Sequence, residues 1–122
     1  MSDTPYRIFV VDDEPVLRRL LPLTLNKILG ARAIVLTFEN GQKAWDSLQN
    51  RTPEDLPHLV LTDTEMPEMN GITLTEKIRS TYTSIGVIRI SGKADTNPDL
   101  VKPFETIDLA SYLRTYDPAY TK

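Results

Sequence analysis

The chain has 122 residues, 40% of them hydrophobic, which suits one domain with one hydrophobic core. Fourteen Lys and Arg stand against seventeen Asp and Glu, a net charge of −3, so the basic patch that direct nucleic-acid binding needs is not in evidence. The absence of cysteine excludes a disulfide, a thiolate metal site and a cysteine nucleophile. The longest apolar run is far shorter than a membrane span, and residues 1–7 are polar with no signal-peptide pattern. A cytoplasmic protein without membrane contact is expected. No repeat or linker divides the sequence, so 1–122 is read as a single domain.

Ile8-Phe9-Val10-Val11 is a continuous apolar run followed by Asp12, Asp13 and Glu14. A run without alternation suits a strand covered on both faces. Pro15 opens a helical stretch from Val16 to Leu29, since proline is tolerated where the helix N–H has no partner. Leu17, Leu20, Leu21, Leu25, Ile28 and Leu29 supply its apolar spacing. Pro22 conflicts with a continuous helix and predicts a kink or a later start; Gly30 is a stop signal. Ala33 to Phe38 reads as a second strand. A turn at Asn40-Gly41 follows, then a short helix from Gln42 to Gln49 with Ala44, Trp45 and Leu48 inward. Leu59 to Thr62 is a third strand, ending at Asp63. Ile72 to Ser80 is a third helix with Ile72, Leu74 and Ile78 as core candidates. Val87 to Ile90 is a fourth strand ending at Ser91. Leu100-Val101 is a stub of a fifth, followed by Lys102-Pro103, and a last helix runs from Glu105 to Tyr116.

Strands alternating with helices imply an α/β architecture with a doubly wound parallel sheet. Ligands bind such sheets outside the carboxyl ends of the strands, where the strand order switches. The residues just past the strands are Asp12, Asp13 and Glu14, then Glu39, Asp63, Ser91 and Lys102. Carboxylates brought together resist ionisation unless a cation holds them. Mg²⁺, with its preference for oxygen donors, answers that need. A lysine and a hydroxyl on the same rim can bind phosphoryl oxygens, and a carboxylate there can act as the nucleophile.

These residues resemble the receiver domain of two-component response regulators. The matching pieces are Val10-Val11-Asp12-Asp13-Glu14, Asp63-Thr64-Glu65-Met66-Pro67-Glu68-Met69-Asn70-Gly71, Ile90-Ser91-Gly92 and Val101-Lys102-Pro103-Phe104. Each is common alone; four in order at successive strand ends are specific, and together they span nearly the whole chain. The resemblance implies a flavodoxin-like five-stranded sheet of order 2-1-3-4-5. It implies Asp63 as phosphoacceptor and Mg²⁺ held by the side chains of Asp13 and Asp63 and the backbone carbonyl of Glu65, with Asp12 acting through a bound water. Ser91 would bond a phosphoryl oxygen. Lys102 would pair with Asp63 or its phosphate, held by a cis bond to Pro103. Gly71 would close the loop after the acceptor with a positive φ. The donor would be a phosphohistidine on a sensor histidine kinase or histidine phosphotransfer protein, with an output protein as the second partner. Beyond self-phosphorylation and slow autodephosphorylation, no enzyme activity is implied.

The sequence departs from the family beyond Ser91. Ten residues, 92–101, separate Ser91 from Lys102. A helical crossover needs about a dozen or more, so the fourth helix is expected to be absent or reduced to a loop over 92–98, which phosphate would order. Arg89 in a central strand fits a face left open to water, the plainer alternative being an ion pair beneath a normal covering helix. Asp99 occupies the position of the family's switch aromatic, which puts the usual coupling in question. Glu65 and Lys93, two residues past Asp63 and Ser91, are expected to pair across the entrance and slow hydrolysis of the phosphate.

Plainer readings cover the other residues. Glu14 is a first-turn acid favoured by the helix dipole, and Glu39 is a surface acid. His58 is a loop histidine, Trp45 a core or rim residue, and Met66 and Met69 pack a loop. Arg18 and Arg19 lie on a solvated helix face. Two rival functions remain: a receiver-like protein-binding module that signals without phosphorylation, and a Mg²⁺-dependent phosphohydrolase, for which no general acid or substrate cap is evident.

Overall fold

The apolar run in the first strand is buried from both sides: Ile8, Phe9, Val10 and Val11 are each 2% exposed or less in the computed structural model, which describes residues 4–92, 98–102, 104 and 106–119. This strand, β1 (Tyr6–Val11), pairs in parallel with β2 (Ala33–Phe38) on one side and β3 (Leu59–Asp63) on the other. β4 (Gly86–Ser91) lies beside β3, and the two-residue β5 (Leu100–Val101) beside β4. The order β2-β1-β3-β4-β5 is the doubly wound arrangement expected from the sequence.

Alternation along each strand divides the core in two. Ile8, Val10, Leu59, Leu61, Ile88 and Ile90 face one way, against Leu21 and Leu25 of α1 (Pro15–Leu29) and Leu109 and Leu113 of α4 (Thr106–Tyr116). Phe9, Val11, Val60 and Val87 face the other way, against Ala44 and Leu48 of α2 (Gly41–Gln49) and Leu74 and Ile78 of α3 (Gly71–Thr81). Each fully buried leucine or isoleucine contributes about 1.5–3 kcal/mol. Tyr6 starts β1 two residues earlier than the apolar run suggests, and its buried hydroxyl donates to the Leu113 carbonyl at 2.7 Å.

Several expectations need correction. Helix α1 begins at Pro15 and continues through Pro22, because the burial of Leu21 and Leu25 on either side outweighs one missing hydrogen bond. Leu20, counted in the apolar spacing of α1, is 50% exposed, and Ile72, a core candidate in the first turn of α3, is 41% exposed; the apolar stripe of each helix is narrower than its leucines and isoleucines imply. Glu14 is the N-cap of α1 rather than a first-turn residue, and its side chain makes no cap bond.

Between β4 and β5 only residues 92–99 are available, too few for a helical crossover, and the described part, Gly92, Pro98 and Asp99, is not helical. Residues 93–97 lie outside the described residues, as does the expected ordering of that loop. Arg89 is half-buried. Its amide donates to Asp99 Oδ2 at 2.7 Å, and its carbonyl accepts from the Asp99 amide at 2.9 Å. Asp99, exposed itself, thus satisfies β4 backbone groups beyond the reach of the two-residue β5.

Candidate functional site

The carboxyl ends of β1, β3 and β5 meet over the core. Asp12 follows β1 and extends its pairing, its amide donating to the Phe38 carbonyl at 3.0 Å. Its Oδ1 accepts from the Glu14 amide at 2.9 Å, a local turn of the kind short acidic side chains favour. Asp12 is 2% exposed, whereas Asp13 is open to solvent. Asp63 is the last residue of β3 rather than the first beyond it and is 7% exposed. Carboxylate oxygens of Asp12, Asp13 and Asp63 lie within 4.8 Å of one another.

Lys102 enters from the far side. Its amide donates to the Ser91 carbonyl at 2.7 Å, continuing the β4–β5 pairing past the strand end. Its Nζ then lies 3.3 Å from Asp12 Oδ2, 3.4 Å from Asp63 Oδ1 and 3.6 Å from Glu14 Oε1. Asp63 Oδ1 also accepts from the Thr64 amide at 3.0 Å. Its Oδ2 has no hydrogen bond among the described residues.

Burial and the neighbouring Asp12 charge push Asp63 up to about 6, against the opposing pull of Lys102 and the Thr64 amide. Burial also raises Asp12 above the usual carboxylate range, despite the Glu14 amide and Lys102. Burial works against the charge of Lys102, but Asp12, Asp63 and Glu14 outweigh it and hold the ammonium's pKa above its ordinary value. One lysine therefore incompletely neutralises the acids around it, and the site favours additional positive charge. All its side-chain donors are hard oxygens, so the residues fit a magnesium-type cation. Asp13, Glu14, Asp63, Glu65, Gly92 and Lys102 line an open depression of about 450 Å³ beside this cluster.

Ser91, fully buried at the end of β4, donates its hydroxyl to Glu65 Oε1 at 3.3 Å. Glu65 therefore turns its carboxylate toward the hydroxyl expected to bind a phosphoryl oxygen. The Lys93 side of the expected entrance pair lies outside the described residues, as does the expected cis bond at Pro103.

Gly71 serves a different purpose from the one expected. Among the described residues the positive-φ positions are Glu68 and Gly30. Gly71 instead sits so close beneath the site that a Cβ there would lie 2.0 Å from the Asp63 carbonyl oxygen and 2.9 Å from Thr64 Cα. Its amide donates to the Thr64 carbonyl at 2.8 Å, and Asn70 caps α3 by accepting from the Thr73 amide at 2.9 Å. The requirement is close approach of a helix to the backbone of Asp63.

Three contributions at the site are not evident from residue type alone. Thr64 supplies an amide to Asp63 and donates its hydroxyl to the Ile90 carbonyl at 3.2 Å, joining β3 to β4. Glu14 adds an acid near Lys102. Arg18, expected on a solvated face, is half-buried and donates from Nη1 to the Asp12 carbonyl at 2.7 Å; the signal was its place one helical turn after Glu14. The plainer readings hold elsewhere. Glu39 is exposed and paired with Lys43, Trp45 is half-buried beside Tyr82 and Lys77, and Met66 and Met69 pack against the α2–α3 side of the core. His58 accepts from the Arg7 amide at 3.0 Å through Nδ1, away from the acid cluster.

The family model described as "response regulator receiver domain" matches residues 8–114. The chain is 36% identical over 111 residues to a chemotaxis protein CheY homolog of Campylobacter jejuni, with 80% of this chain and 82% of the relative covered. It is 34% identical over 111 residues to the chemotaxis protein CheY1 of Helicobacter pylori, with 80% and 86% covered. Among solved structures, the response regulator protein TrrA of Thermotoga maritima in complex with Mg(2+)-BeF is similar at a TM-score of 0.77 and 27% identity, covering 91% of this chain and 98% of that one.

Proposed function

Because the chain belongs to the response regulator receiver domain family, we propose that it accepts a phosphoryl group on Asp63 from a phosphohistidine and changes its binding to an output protein in consequence. The observation that carries this reading is the position of Lys102 Nζ between Asp12 and Asp63, at 3.3 and 3.4 Å, beside an acid cluster able to hold a cation.

Asp63 offers an oxygen, Oδ2, that has no hydrogen-bond partner among the described residues. In its carboxylate form that oxygen attacks phosphorus; the O–P bond forms as the P–N bond breaks, and the bonding electrons leave with the imidazole. Lys102, already charged and close to Asp63, is placed to pair with a phosphoryl oxygen. Ser91 takes up another once its hydroxyl leaves Glu65. Asp13 and Asp63 by side chain and Glu65 by backbone carbonyl would hold Mg²⁺, with Asp12 behind a water. Bound there, Mg²⁺ neutralises the carboxylates and withdraws charge from the phosphoryl group.

The same reading makes the protein a signalling domain rather than a turnover enzyme. It places the domain in the cytoplasm, in contact with a sensor histidine kinase or histidine phosphotransfer protein; no described helix is long and apolar enough to cross a membrane. The test is incubation with an acyl phosphate and Mg²⁺. Mass addition of one phosphoryl group to the wild type but not to Asp63→Asn is expected. Equal labelling of both, or of neither, would sink the assignment.

A further inference from the structure

Asp13 is an exposed acid on the turn between β1 and α1, and its neighbours on both sides are anchored. The Asp12 amide is tied to Phe38 on β2. The Glu14 amide is tied to Asp12 Oδ1. The two carbonyls flanking Asp13 converge on one residue: Arg18 donates its amide to the Glu14 carbonyl at 3.1 Å and Nη1 to the Asp12 carbonyl at 2.7 Å. Helix formation accounts for the first bond. The second requires this side chain, folded back along α1 onto the strand end.

We infer that Arg18 is a positioning residue, which fixes the Asp12–Asp13 turn in the geometry that holds the cation. The inference rests on the function proposed above and extends it to a residue outside the acid cluster. Three features support it. Arg18 is half-buried rather than free on the helix surface. It binds a backbone carbonyl, so its bond constrains the path of the chain rather than neutralising a carboxylate. It also stands near Glu39, whose carboxyl is lowered mainly by Lys43 and to a smaller degree by Arg18, so its guanidinium lies where the ends of β1 and β2 adjoin. A planar guanidinium can span such positions, whereas an ammonium acts as a single point charge.

A positioning role and a purely electrostatic role predict opposite signs. A fixed positive charge beside the cluster repels an incoming cation, so removing it should strengthen Mg²⁺ binding if charge alone matters. Removing a brace should weaken it; outer partners of metal ligands typically contribute about 10–100-fold in affinity.

The experiment titrates Mg²⁺ into the full chain as wild type, Arg18→Met and Arg18→Lys, following the Glu14 and Asp63 amide resonances by NMR, with a thermal melt of each variant in chelator. Arg18→Met is expected to bind Mg²⁺ about tenfold more weakly, with Arg18→Lys between it and the wild type. Affinity equal to or above that of the wild type in Arg18→Met overturns the inference and leaves the proposed function standing. If Arg18→Met fails to fold, Arg18→Lys decides: weaker binding supports the brace, and wild-type affinity overturns it. A wild type that shows no Mg²⁺-dependent shift overturns the proposed function and the inference with it.

Discussion

Two carboxylates at opposite ends of the sheet are shielded from solvent to similar degrees, and their environments push them in opposite directions. Asp63 is 7% exposed at the carboxyl rim and Asp117 is 2% exposed beyond α4. Burial raises Asp63, the Asp12 charge adds to the rise, and the carboxyl reaches about 6. Burial would raise Asp117 too, but the hydrogen bonds and charge of Arg32, with the Ala119 amide, outweigh it and hold the carboxyl below its usual range. Arg32 meets Asp117 with two bonds, at 2.5 and 3.0 Å, and also donates to the Thr4 carbonyl at 2.8 Å. The fork ties the N-terminal segment, the turn after α1 and the end of α4 together. The fold thus supplies a matched partner where an acid is structural. At the rim it leaves the acids short of positive charge, a standing electrostatic cost that a cation can relieve.

Replacing the two acids should break this symmetry in both function and stability. Asp63→Asn should abolish phosphoryl labelling and, without metal at pH 7.5, raise stability by about 1–2 kcal/mol, because it removes a desolvated charge facing Asp12. Asp117→Asn should leave labelling intact and lower stability by about 2 kcal/mol, since hydrogen bonds to charged partners contribute about 1.5–3 kcal/mol. Urea melts read both values. A destabilised Asp63→Asn, or an Asp117→Asn protein as stable as the wild type, would contradict the comparison.

The pH dependence sharpens it further. Asp63 has a folded-state pKa above its unfolded value, so without metal the folded chain binds protons more tightly, and stability should rise as pH falls from about 7 towards 4. The gain is at most about 2–3 kcal/mol. Asp117 is lowered, so its contribution is present above its unfolded value and is lost as pH falls through and below it. Metal-free stability should therefore pass through a maximum in mild acid. Saturating Mg²⁺ should move that maximum towards neutrality, since a bound cation favours the ionised carboxylates. Stability in chelator that falls steadily from pH 7 to 5 would refute the raised Asp63.

The contrast also explains how much could be read from the sequence. Acids, hydroxyl and lysine at the ends of apolar runs were legible because parallel topology brings successive strand ends to one rim, and Asp12, Asp13, Asp63, Ser91 and Lys102 all have their places there. The strand order required the family resemblance, since alternation of elements does not fix it. The Arg32–Asp117 fork was not legible: its members are 85 positions apart, with no spacing or motif to connect them. Gly71 was noticed for the wrong property, because crowding by the Asp63 carbonyl exists only after α3 has docked. Leu20 and Ile72 were misplaced because helical spacing marks a stripe but not its edges.

The smallest expected effect tests the other side of the molecule, where β5 is only two residues long. At the family's aromatic position, Asp99 accepts the Arg89 amide with its side chain and donates its own amide to the Arg89 carbonyl. Its carbonyl accepts from the Tyr112 hydroxyl on α4 at 3.0 Å. These bonds make Asp99 a backbone clasp between β4 and α4. Asp99→Ala keeps both backbone bonds and loses only the carboxylate acceptor, so it should cost about 1 kcal/mol. Asp99→Asn, which retains an acceptor oxygen, should cost less. Hydrogen exchange at the Arg89 amide should quicken several-fold in the alanine variant, while labelling of Asp63 stays at the wild-type level. Loss of labelling in Asp99→Ala would mean that the clasp and the acceptor are coupled, and that the two sides of the domain cannot be treated as separate.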